Sequence, residues 1–256
     1  MSFWRDMARL DEEEASAERI GRHTVLLASL ALLFLTLPMV RDMPGGRLRF
    51  SLLFALVLIS AIYVNSVRRW LLVAGASLGA AAIVLGAIAE VTGDPAIRVV
   101  SSSFALVLVA LTILMMLNTL IRTRRVSRDT IVGGVCVYLM LGLGFAIAYQ
   151  ICLAIEPNVL HKGGVPLGEL VERADHETVQ ILYYSFVTLT TLGFGDITPV
   201  AEHIQLLTIV EAVVGQLYVA IFIARLMGLF IAGDREPPGG DPSAGGRLAG
   251  VGERDP

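Results

Sequence analysis

Long apolar stretches separated by short polar segments dominate the chain. Six of them follow one another at residues 24–40, 50–64, 70–91, 99–121, 131–155 and 204–232. The first five are largely free of charged residues, and the sixth carries only Glu211 and Arg225. A helix that crosses a bilayer needs about 20 apolar residues, with a range of about 17–25. The pattern therefore predicts six membrane-spanning helices, the second of which is short, so that its flanking residues must snorkel.

Composition supports the same class of protein. Of the 256 residues, 55% are hydrophobic and 17% are charged, and the mean hydropathy is +0.72. These values are too apolar for an ordinary soluble domain, so we expect an all-α integral membrane fold. The net charge of -3 gives no reason to expect nucleic-acid binding. No recognisable arrangement of Ser, His and Asp suggests catalysis, so an enzyme is not expected.

The arginines predict the orientation in the membrane. They cluster before the first run, between the second and third, and between the fourth and fifth, at Arg5, Arg9, Arg19, Arg22, Arg68, Arg69, Arg122, Arg124, Arg125 and Arg128. In a six-helix topology these segments share one side, which the positive-inside rule assigns to the cytoplasm. Against this, Arg41, Arg47 and Arg49 fall on the other side. We expect a multi-pass protein of the cytoplasmic (inner) membrane with both termini cytoplasmic.

A different kind of segment lies between the fifth and sixth runs. Residues 156–177 are polar, and the next stretch, TVQILYYSFVTLT at 178–190, is apolar. That stretch is too short to cross a bilayer and is typical of a re-entrant or core helix. The sequence TLGFGD at 191–196 follows it, before the sixth run begins. The pattern predicts a chain that enters the membrane, turns in a loop and returns on the same side.

The loop itself predicts a chemistry. Non-helical backbone at membrane depth is tolerated only where protein buries it or where it lines a watery cavity. Gly193 and Gly195 can adopt backbone angles closed to other residues, so that successive carbonyls can point the same way. A helix ending at Thr190 would direct its negative dipole end toward the middle of the membrane. The loop is therefore expected to coordinate cations, although the same glycines in isolation would indicate no more than a turn.

These residues also carry a family resemblance. The stretch YYSFVTLTTLGFGDITP resembles the pore helix and selectivity filter of the potassium channel family, strongly over about 178–199 and more loosely over 131–232. The family pattern TVGYGD corresponds to TLGFGD here. The resemblance implies a set of filter residues: Thr191, Leu192, Gly193, Phe194 and Gly195. The carbonyls of the first four and the Thr191 hydroxyl would hold potassium. Four such loops surround one ion, and each chain has one, so a homotetramer is implied.

The resemblance also implies residues that support the filter, and two departures from the family limit the match. Phe194 stands where the family has tyrosine, and it lacks the hydroxyl that ties the filter to the pore helices. Tyr183 and Tyr184 stand where some relatives have tryptophan. Thr190 leads into the filter, and Asp196 would brace its outer end. The degree of selectivity for potassium over sodium is therefore left open.

The sixth run carries two residues that are unusual in an apolar helix. Glu211 is costly inside a membrane and needs a partner, so it would hold this helix against the back of the filter or, alternatively, attract ions directly. Gly215 costs about 1 kcal/mol relative to alanine. By the resemblance it is a gating hinge, and the alternative is close packing. One of the next polar residues, Gln216 or Tyr218, is expected to face a water-filled cavity.

The first four runs give no sign of a voltage sensor. Such a sensor needs arginines spaced through the fourth helix, because each charge moved is worth about 2.3 kcal/mol per 100 mV. Residues 99–121 contain none, since Arg98 precedes the run and Arg122 follows it. Steep voltage gating is therefore not expected, and these helices are interpreted as a peripheral bundle.

Five segments follow from these observations. They are a cytoplasmic N-terminal segment at 1–22, a four-helix peripheral membrane bundle at 23–121, a basic cytoplasmic linker at 122–130, a pore domain at 131–232 and a tail at 233–256. The pore domain comprises an outer helix, the pore helix, the filter and an inner helix. The tail is rich in Gly, Pro and charge, so we expect it to be disordered and cytoplasmic.

The sequence thus predicts a tetrameric, passive, potassium-selective channel with six helices per chain. It would need no cofactor, with potassium as the permeant substrate and with identical chains and membrane lipids as partners. The alternatives are a weakly selective monovalent cation channel and a non-conducting sensor or assembly subunit. A secondary transporter would need repeated halves or several loops. The gating stimulus is left open among lipid, tension, pH and a separate regulatory partner.

Overall fold

The structure is a computed structural model that describes residues 23–36, 53–57, 59–60, 69–123, 127–170 and 174–233. The predicted N-terminal segment at 1–22 and the tail beyond residue 233 lie outside the described residues. The described helices are α1 (His23–Thr36), α2 (53–57 and 59–60), α3 (Arg69–Thr92), α4 (Pro95–Arg122), α5 (Arg128–Ile155), α6 (Leu167–Leu170), α7 (Ala174–Leu189) and α8 (Glu202–Gly233). The described strands are β1 (Leu160–Lys162), β2 (Val165–Pro166) and β3 (Ile197–Pro199).

Within the described residues, three helices are long and apolar enough to cross a membrane: Pro95–Arg122, Arg128–Ile155 and Glu202–Ile231. Two shorter apolar helices cover His23–Thr36 and Val73–Ala89. Much of the predicted second span lies outside the described residues. The mostly helical membrane fold agrees with the sequence, whereas the count of six spans stays a prediction.

Capping residues explain where α4 and α5 begin. The Asp94 carboxylate accepts a hydrogen bond from the Ala96 N–H at 2.8 Å, which satisfies one of the free donors of the first turn. Pro95 follows Asp94 at the start of the helix, where a missing N–H costs little. Ser127 and Thr130 form a capping box at the start of α5. Both helices therefore begin slightly before the apolar runs, because each starts at a polar cap and includes an arginine, Arg98 or Arg128, before its apolar run.

The helix α5 packs against three of the other helices. It contacts α4, α7 and α8. A Cβ atom on its Gly142 would lie 2.5 Å from the Phe186 ring of α7, and one on Gly134 would overlap the Phe222 ring of α8. Small residues on α5 therefore let two aromatic rings lie directly against its backbone. In contrast, α8 leaves most of its apolar side chains exposed in the single chain.

A small antiparallel sheet lies where α5 ends and α8 begins, and we call this the sheet end. Its strand order is β2-β1-β3. The turn between β1 and β2 consists of Gly163 and Gly164, whose φ angles of 59° and 85° suit a two-residue hairpin. The sequence analysis did not predict this sheet, because strands of two or three residues carry no periodic pattern. Since β3 begins directly after Asp196, the sheet anchors the preceding loop.

Candidate functional site

The helix that precedes the loop ends in a Schellman-type cap. The helix α7 stops at Leu189, and Thr191 adopts a left-handed φ of 59°. The Thr191 N–H donates to the Thr188 carbonyl at 2.9 Å. The Leu192 N–H donates to the Val187 carbonyl, also at 2.9 Å, which completes the cap. Glycine usually takes the left-handed position, because an L side chain costs about 1–2 kcal/mol there. The loop thus starts from a strained residue held by two hydrogen bonds.

The same hydrogen bonds determine the direction of the loop carbonyls. Every described peptide bond is trans, and in a trans peptide an N–H and the preceding residue's C=O point in opposite directions. The N–H groups of Leu192 and Gly193 both point at the Val187 carbonyl, at 2.9 and 3.4 Å. The carbonyls of Thr191 and Leu192 therefore face away from α7, toward the exposed side of the loop.

Two glycines continue an alternation of backbone handedness along the loop. Gly193 and Gly195 have φ angles of 57° and 74°, and together with Thr191 they alternate with residues of negative φ. Alternating handedness makes neighbouring peptide groups face the same way. Nothing lies within 4 Å of a Cβ atom at either glycine, so backbone conformation rather than space requires them. The two side chains that alternate with these three residues are open to solvent in the single chain: Phe194 is 66% exposed and Leu192 is 60% exposed.

The end of the loop nearest the sheet is attached to α7 and to the strands. The Tyr183 hydroxyl of α7 donates to the Asp196 carboxylate at 3.3 Å. The next residues form β3, which pairs with β1. Lys162 of β1 in turn donates to the Gln180 side chain of α7 at 2.8 Å. The loop is therefore held to α7 at both of its ends.

Gln216 is the polar residue of α8 that lies at the loop. Its side-chain amide donates to the Thr191 hydroxyl at 2.9 Å. Tyr218, the other candidate, donates instead to the Gly134 carbonyl of α5 at 2.7 Å. A hydroxyl that accepts one hydrogen bond keeps a second lone pair. The Thr191 oxygen can therefore be held by Gln216 and still act as a ligand for a cation.

Gly215 lies where α8 crosses the end of α7. The helix α8 is continuous through this residue. A Cβ atom at Gly215 would overlap the Leu189 carbonyl oxygen and lie 2.9 Å from the Leu189 side chain. The structure thus contains the close packing that the sequence offered as an alternative, and the gating hinge stays a prediction.

Gly215→Ala is expected to lower the melting temperature of the purified protein, whereas Gly228→Ala on the same helix should raise it. Overpacking at Gly215 would cost about 1–3 kcal/mol. Nothing lies within 4 Å of a Cβ atom at Gly228, and alanine is favoured over glycine in a helix by about 1 kcal/mol. Thermal unfolding in detergent measures both. Equal stabilisation at the two positions would contradict the close approach of α7 and α8.

Glu211 is fully buried, with 0% exposure, and joins three helices behind the loop. The Tyr149 hydroxyl of α5 donates to Glu211 Oε2 at 2.7 Å. The Ser185 hydroxyl of α7 lies 2.5 Å from Glu211 Oε1 and 2.8 Å from the Gly142 carbonyl of α5. The buried carboxyl group therefore has the partners that its position in an apolar helix requires.

Thr208 and Tyr184 extend this cluster, which we call the Glu211 cluster. The Thr208 hydroxyl lies 2.7 Å from the Tyr184 hydroxyl and 3.3 Å from the Tyr149 hydroxyl. The rings of Tyr149 and Tyr184 meet edge to face, with centroids 5.1 Å apart. Tyr184 thus connects α7 with α8, whereas the neighbouring Tyr183 connects α7 with the end of the loop.

The oxygen donors of the site come mainly from the backbone. The Thr190 hydroxyl donates to the Phe186 carbonyl at 2.6 Å and so belongs to the end of α7. Across the described ranges, no group of three or more His, Cys, Asp or Glu side chains could hold a metal ion. What the loop presents is a row of carbonyls and the Thr191 hydroxyl, a set of ligands that suits a dehydrated monovalent cation.

Sequence reasoning missed Tyr149, Ser185 and Thr208, the partners in the Glu211 cluster. A signal for partners was present, because a carboxylate inside a membrane needs them. Their identity was not predictable, since nothing in their spacing points to Glu211. The sequence analysis noted Arg225 but predicted no partner for it, although a charge within an apolar run is the same kind of signal.

Comparisons with known proteins bear on the part of the chain that contains this site. The model of a family described as "Ion channel" matches residues 137–232. Protein LctB of Bacillus caldotenax is 32% identical over 110 residues, which cover 40% of this chain and 74% of LctB. No solved structure matches the chain significantly. The family match includes α7, the loop and α8, so it covers the whole of the candidate site.

Proposed function

The chain belongs to the ion channel family, and we propose that it is a passive, potassium-selective channel. The observation that carries the proposal is the direction of the carbonyls of Thr191 and Leu192, which face away from α7 on an exposed loop. Such carbonyls replace the water shell of a cation. In the proposed filter they act together with the carbonyls of Gly193 and Phe194 and with the Thr191 hydroxyl.

The proposed channel is a homotetramer. One loop forms a single wall of an ion site, and four loops are needed to surround an ion. The exposure of the loop supports assembly, as does the exposure of Ile209, Val213 and Leu217 on α8, the helix that would line the pore. Each chain would cross the membrane six times with both termini in the cytoplasm, as the arginine pattern predicts.

The residues around the filter are proposed to act as supports. Tyr183 and Asp196 would brace its outer end, since their side chains are 3.3 Å apart. The Glu211 cluster would hold the pore helix α7 and the inner helix α8 together behind the filter. Gly215 would let α8 approach the end of α7 closely. Together these contacts would keep the carbonyl row rigid enough to discriminate between ions.

A weakly selective monovalent cation channel is the second candidate. One observation favours it: Phe194 has no hydroxyl with which to tie the filter to its surroundings, and its side chain is 66% exposed in the single chain. A less restrained filter would adapt to sodium as well as potassium. The two candidates differ only in selectivity and predict the same architecture.

Ion flux from the purified protein in liposomes tests the proposal. Potassium and sodium gradients are compared in matched vesicles, and barium is added as a blocker. Potassium flux that barium blocks, with little sodium flux, is the expected result. Sodium flux of equal size would favour the weakly selective cation channel over the potassium-selective one. The absence of both fluxes would contradict conduction and favour a non-conducting subunit.

A further inference from the structure

Arg225 links the inner helix α8 to the end of α4. Its side chain is half-buried, and its Nη2 atom lies within hydrogen-bonding distance of three backbone carbonyls. These belong to Leu120, Ile121 and Thr123, at 2.9, 2.5 and 3.0 Å. Arg225 follows these residues by more than 100 positions. The contact therefore joins two parts of the chain that are remote in sequence, the peripheral bundle and the pore domain.

The three carbonyls lie at the end of α4, where backbone carbonyls lack a hydrogen-bond partner within the helix. The last carbonyls of an α-helix have no partner within the helix and carry the negative end of its dipole. Of these, the Thr119 carbonyl accepts from the Thr123 N–H, which closes α4. The guanidinium of Arg225 takes the adjacent carbonyls and brings a positive charge to that end. Arg225 thus acts as a C-terminal cap that is supplied by another helix.

The positive charge of Arg225 has no carboxylate partner among the described residues. Among the described residues, the carboxylates of Asp129 and Glu156 contact His23 and His203, and Arg225 pairs with neither carboxylate. Its Nε atom is buried and has no hydrogen-bond partner in the described part of the chain. An arginine within an apolar helix is costly unless its charge is paired or hydrogen-bonded. The α4 carbonyls are therefore what stabilises Arg225 in this position.

The position of Arg225 along α8 shows which part of that helix the contact holds. Arg225 lies ten residues beyond Gly215, which is about 15 Å along a helix. It therefore lies toward the end opposite the sheet, where α4 ends and α5 begins. Tyr218, between these two residues, bonds the α5 carbonyl of Gly134 at 2.7 Å. The first part of α8 is thus held to α5 and α7, whereas Arg225 holds its last part to α4.

We propose that Arg225 is a positioning residue that couples the peripheral bundle to the inner helix of the pore. For the last part of α8 to move sideways, α4 must move with it, or the hydrogen bonds break and leave a guanidinium in apolar surroundings. A displacement of α4 therefore reaches the inner helix without any charged sensor in residues 99–121. This inference rests on the proposed function, since it assigns a role in gating to helices outside the filter.

Single-channel recording in planar bilayers tests the coupling. Arg225→Met removes the donors and the charge, and Arg225→Lys retains the charge with fewer donors. Arg122→Met is the matched control, because the Arg122 guanidinium donates to Asn118 of its own helix at 3.0 Å. We expect Arg225→Met to change the open probability at least about tenfold, with unchanged unitary conductance and potassium-to-sodium permeability ratio. A tenfold change corresponds to about 1.4 kcal/mol.

Hydrogen–deuterium exchange gives a readout that does not depend on conduction. Arg225→Met should speed exchange in the last turn of α4 and in α8 beyond residue 225, Arg225→Lys should lie between it and the wild type, and Arg122→Met should match the wild type. If the wild-type protein conducts no ions, the proposed channel function fails, while exchange still decides whether the coupling exists. Unchanged open probability and exchange in Arg225→Met, or equal effects of Arg122→Met, would overturn the inference.

Discussion

Gly193→Ala is expected to abolish potassium flux through the reconstituted protein while leaving it folded. Gly193 has a φ of 57°, and an L side chain costs about 1–2 kcal/mol in that region. Relaxation to negative φ would turn the adjoining peptides, move the Gly193 N–H away from Val187 and misdirect the Leu192 carbonyl. If the misdirected carbonyl lowers the binding free energy of the ion by about 2.7 kcal/mol, the ion is bound about 100 times more weakly. Liposome flux and melting temperature are measured on the same preparation.

Gly164→Ala is the matched control for this experiment. Gly164 has a φ of 85° in the turn between β1 and β2, and nothing lies within 4 Å of a Cβ atom at either glycine. The two substitutions therefore impose the same kind of backbone strain, one in the proposed filter and one away from it. Flux should survive in Gly164→Ala. Normal flux in Gly193→Ala would instead mean that the backbone conformation at Gly193 is not required for conduction, which would contradict the proposed filter.

Replacement of Glu211 should separate a structural role from direct ion attraction. Glu211→Leu is expected to destabilise the protein by about 2 kcal/mol or more and to remove most of the flux, because the buried Tyr149 hydroxyl loses its carboxyl partner. In Glu211→Gln the amide oxygen can accept from Tyr149, and the amide N–H can donate to Ser185. Ser185 can then donate to the Gly142 carbonyl, so the network closes without a charge. We expect Glu211→Gln to keep near-normal stability and flux.

The result with glutamine decides between the two roles. If Glu211 attracts ions directly, Glu211→Gln should lose flux as severely as Glu211→Leu while remaining stable. Glu202→Gln is the control for charge, because Glu202 lies exposed in the first turn of the same helix. A fall in flux in both glutamine variants would indicate a general electrostatic effect on ion entry rather than a function of the buried cluster.

The helices α4, α5 and α7 were predictable because each contains an apolar run. The fourth run at 99–121 became α4 (Pro95–Arg122), and the fifth at 131–155 became α5 (Arg128–Ile155). The residues added at the two starts follow the polar caps Asp94 and Ser127 and include Arg98 and Arg128, so an apolar run does not contain them. The short apolar stretch at 178–190 likewise became α7 (Ala174–Leu189), which begins within the polar segment at 156–177. Its re-entrant course in the membrane stays a prediction.

The loop was predictable as a loop, but its geometry was only partly so. The glycines at 193 and 195 indicate left-handed backbone, and both adopt it. Thr191 also adopts it, and no residue preference predicts this for threonine. The cause is the cap of α7, because two N–H groups must reach the carbonyls of Thr188 and Val187. Which way the loop carbonyls point therefore follows from hydrogen bonds that the sequence does not display.

Long-range contacts set the limit of what the sequence could predict. Glu211 meets Ser185 and Tyr149 across 26 and 62 positions, and no spacing rule connects such residues. Arg225 is harder still, because its partners are backbone carbonyls that every residue possesses. In both cases the sequence indicates that a buried charge needs partners, and only the packing of the helices shows which partners it has.

Lys162, which bonds Gln180, allows one end of the protein to be labelled selectively. Lys162 is the single lysine of the chain, and its ammonium group lies 2.8 Å from the Gln180 side chain of α7. A membrane-impermeant, amine-reactive reagent would therefore find one side-chain target, at the sheet end. Acylation there removes the charge and leaves a single neutral N–H as the donor. The same amine can carry a fluorophore beside the proposed filter mouth, which would report the sidedness of each inserted molecule.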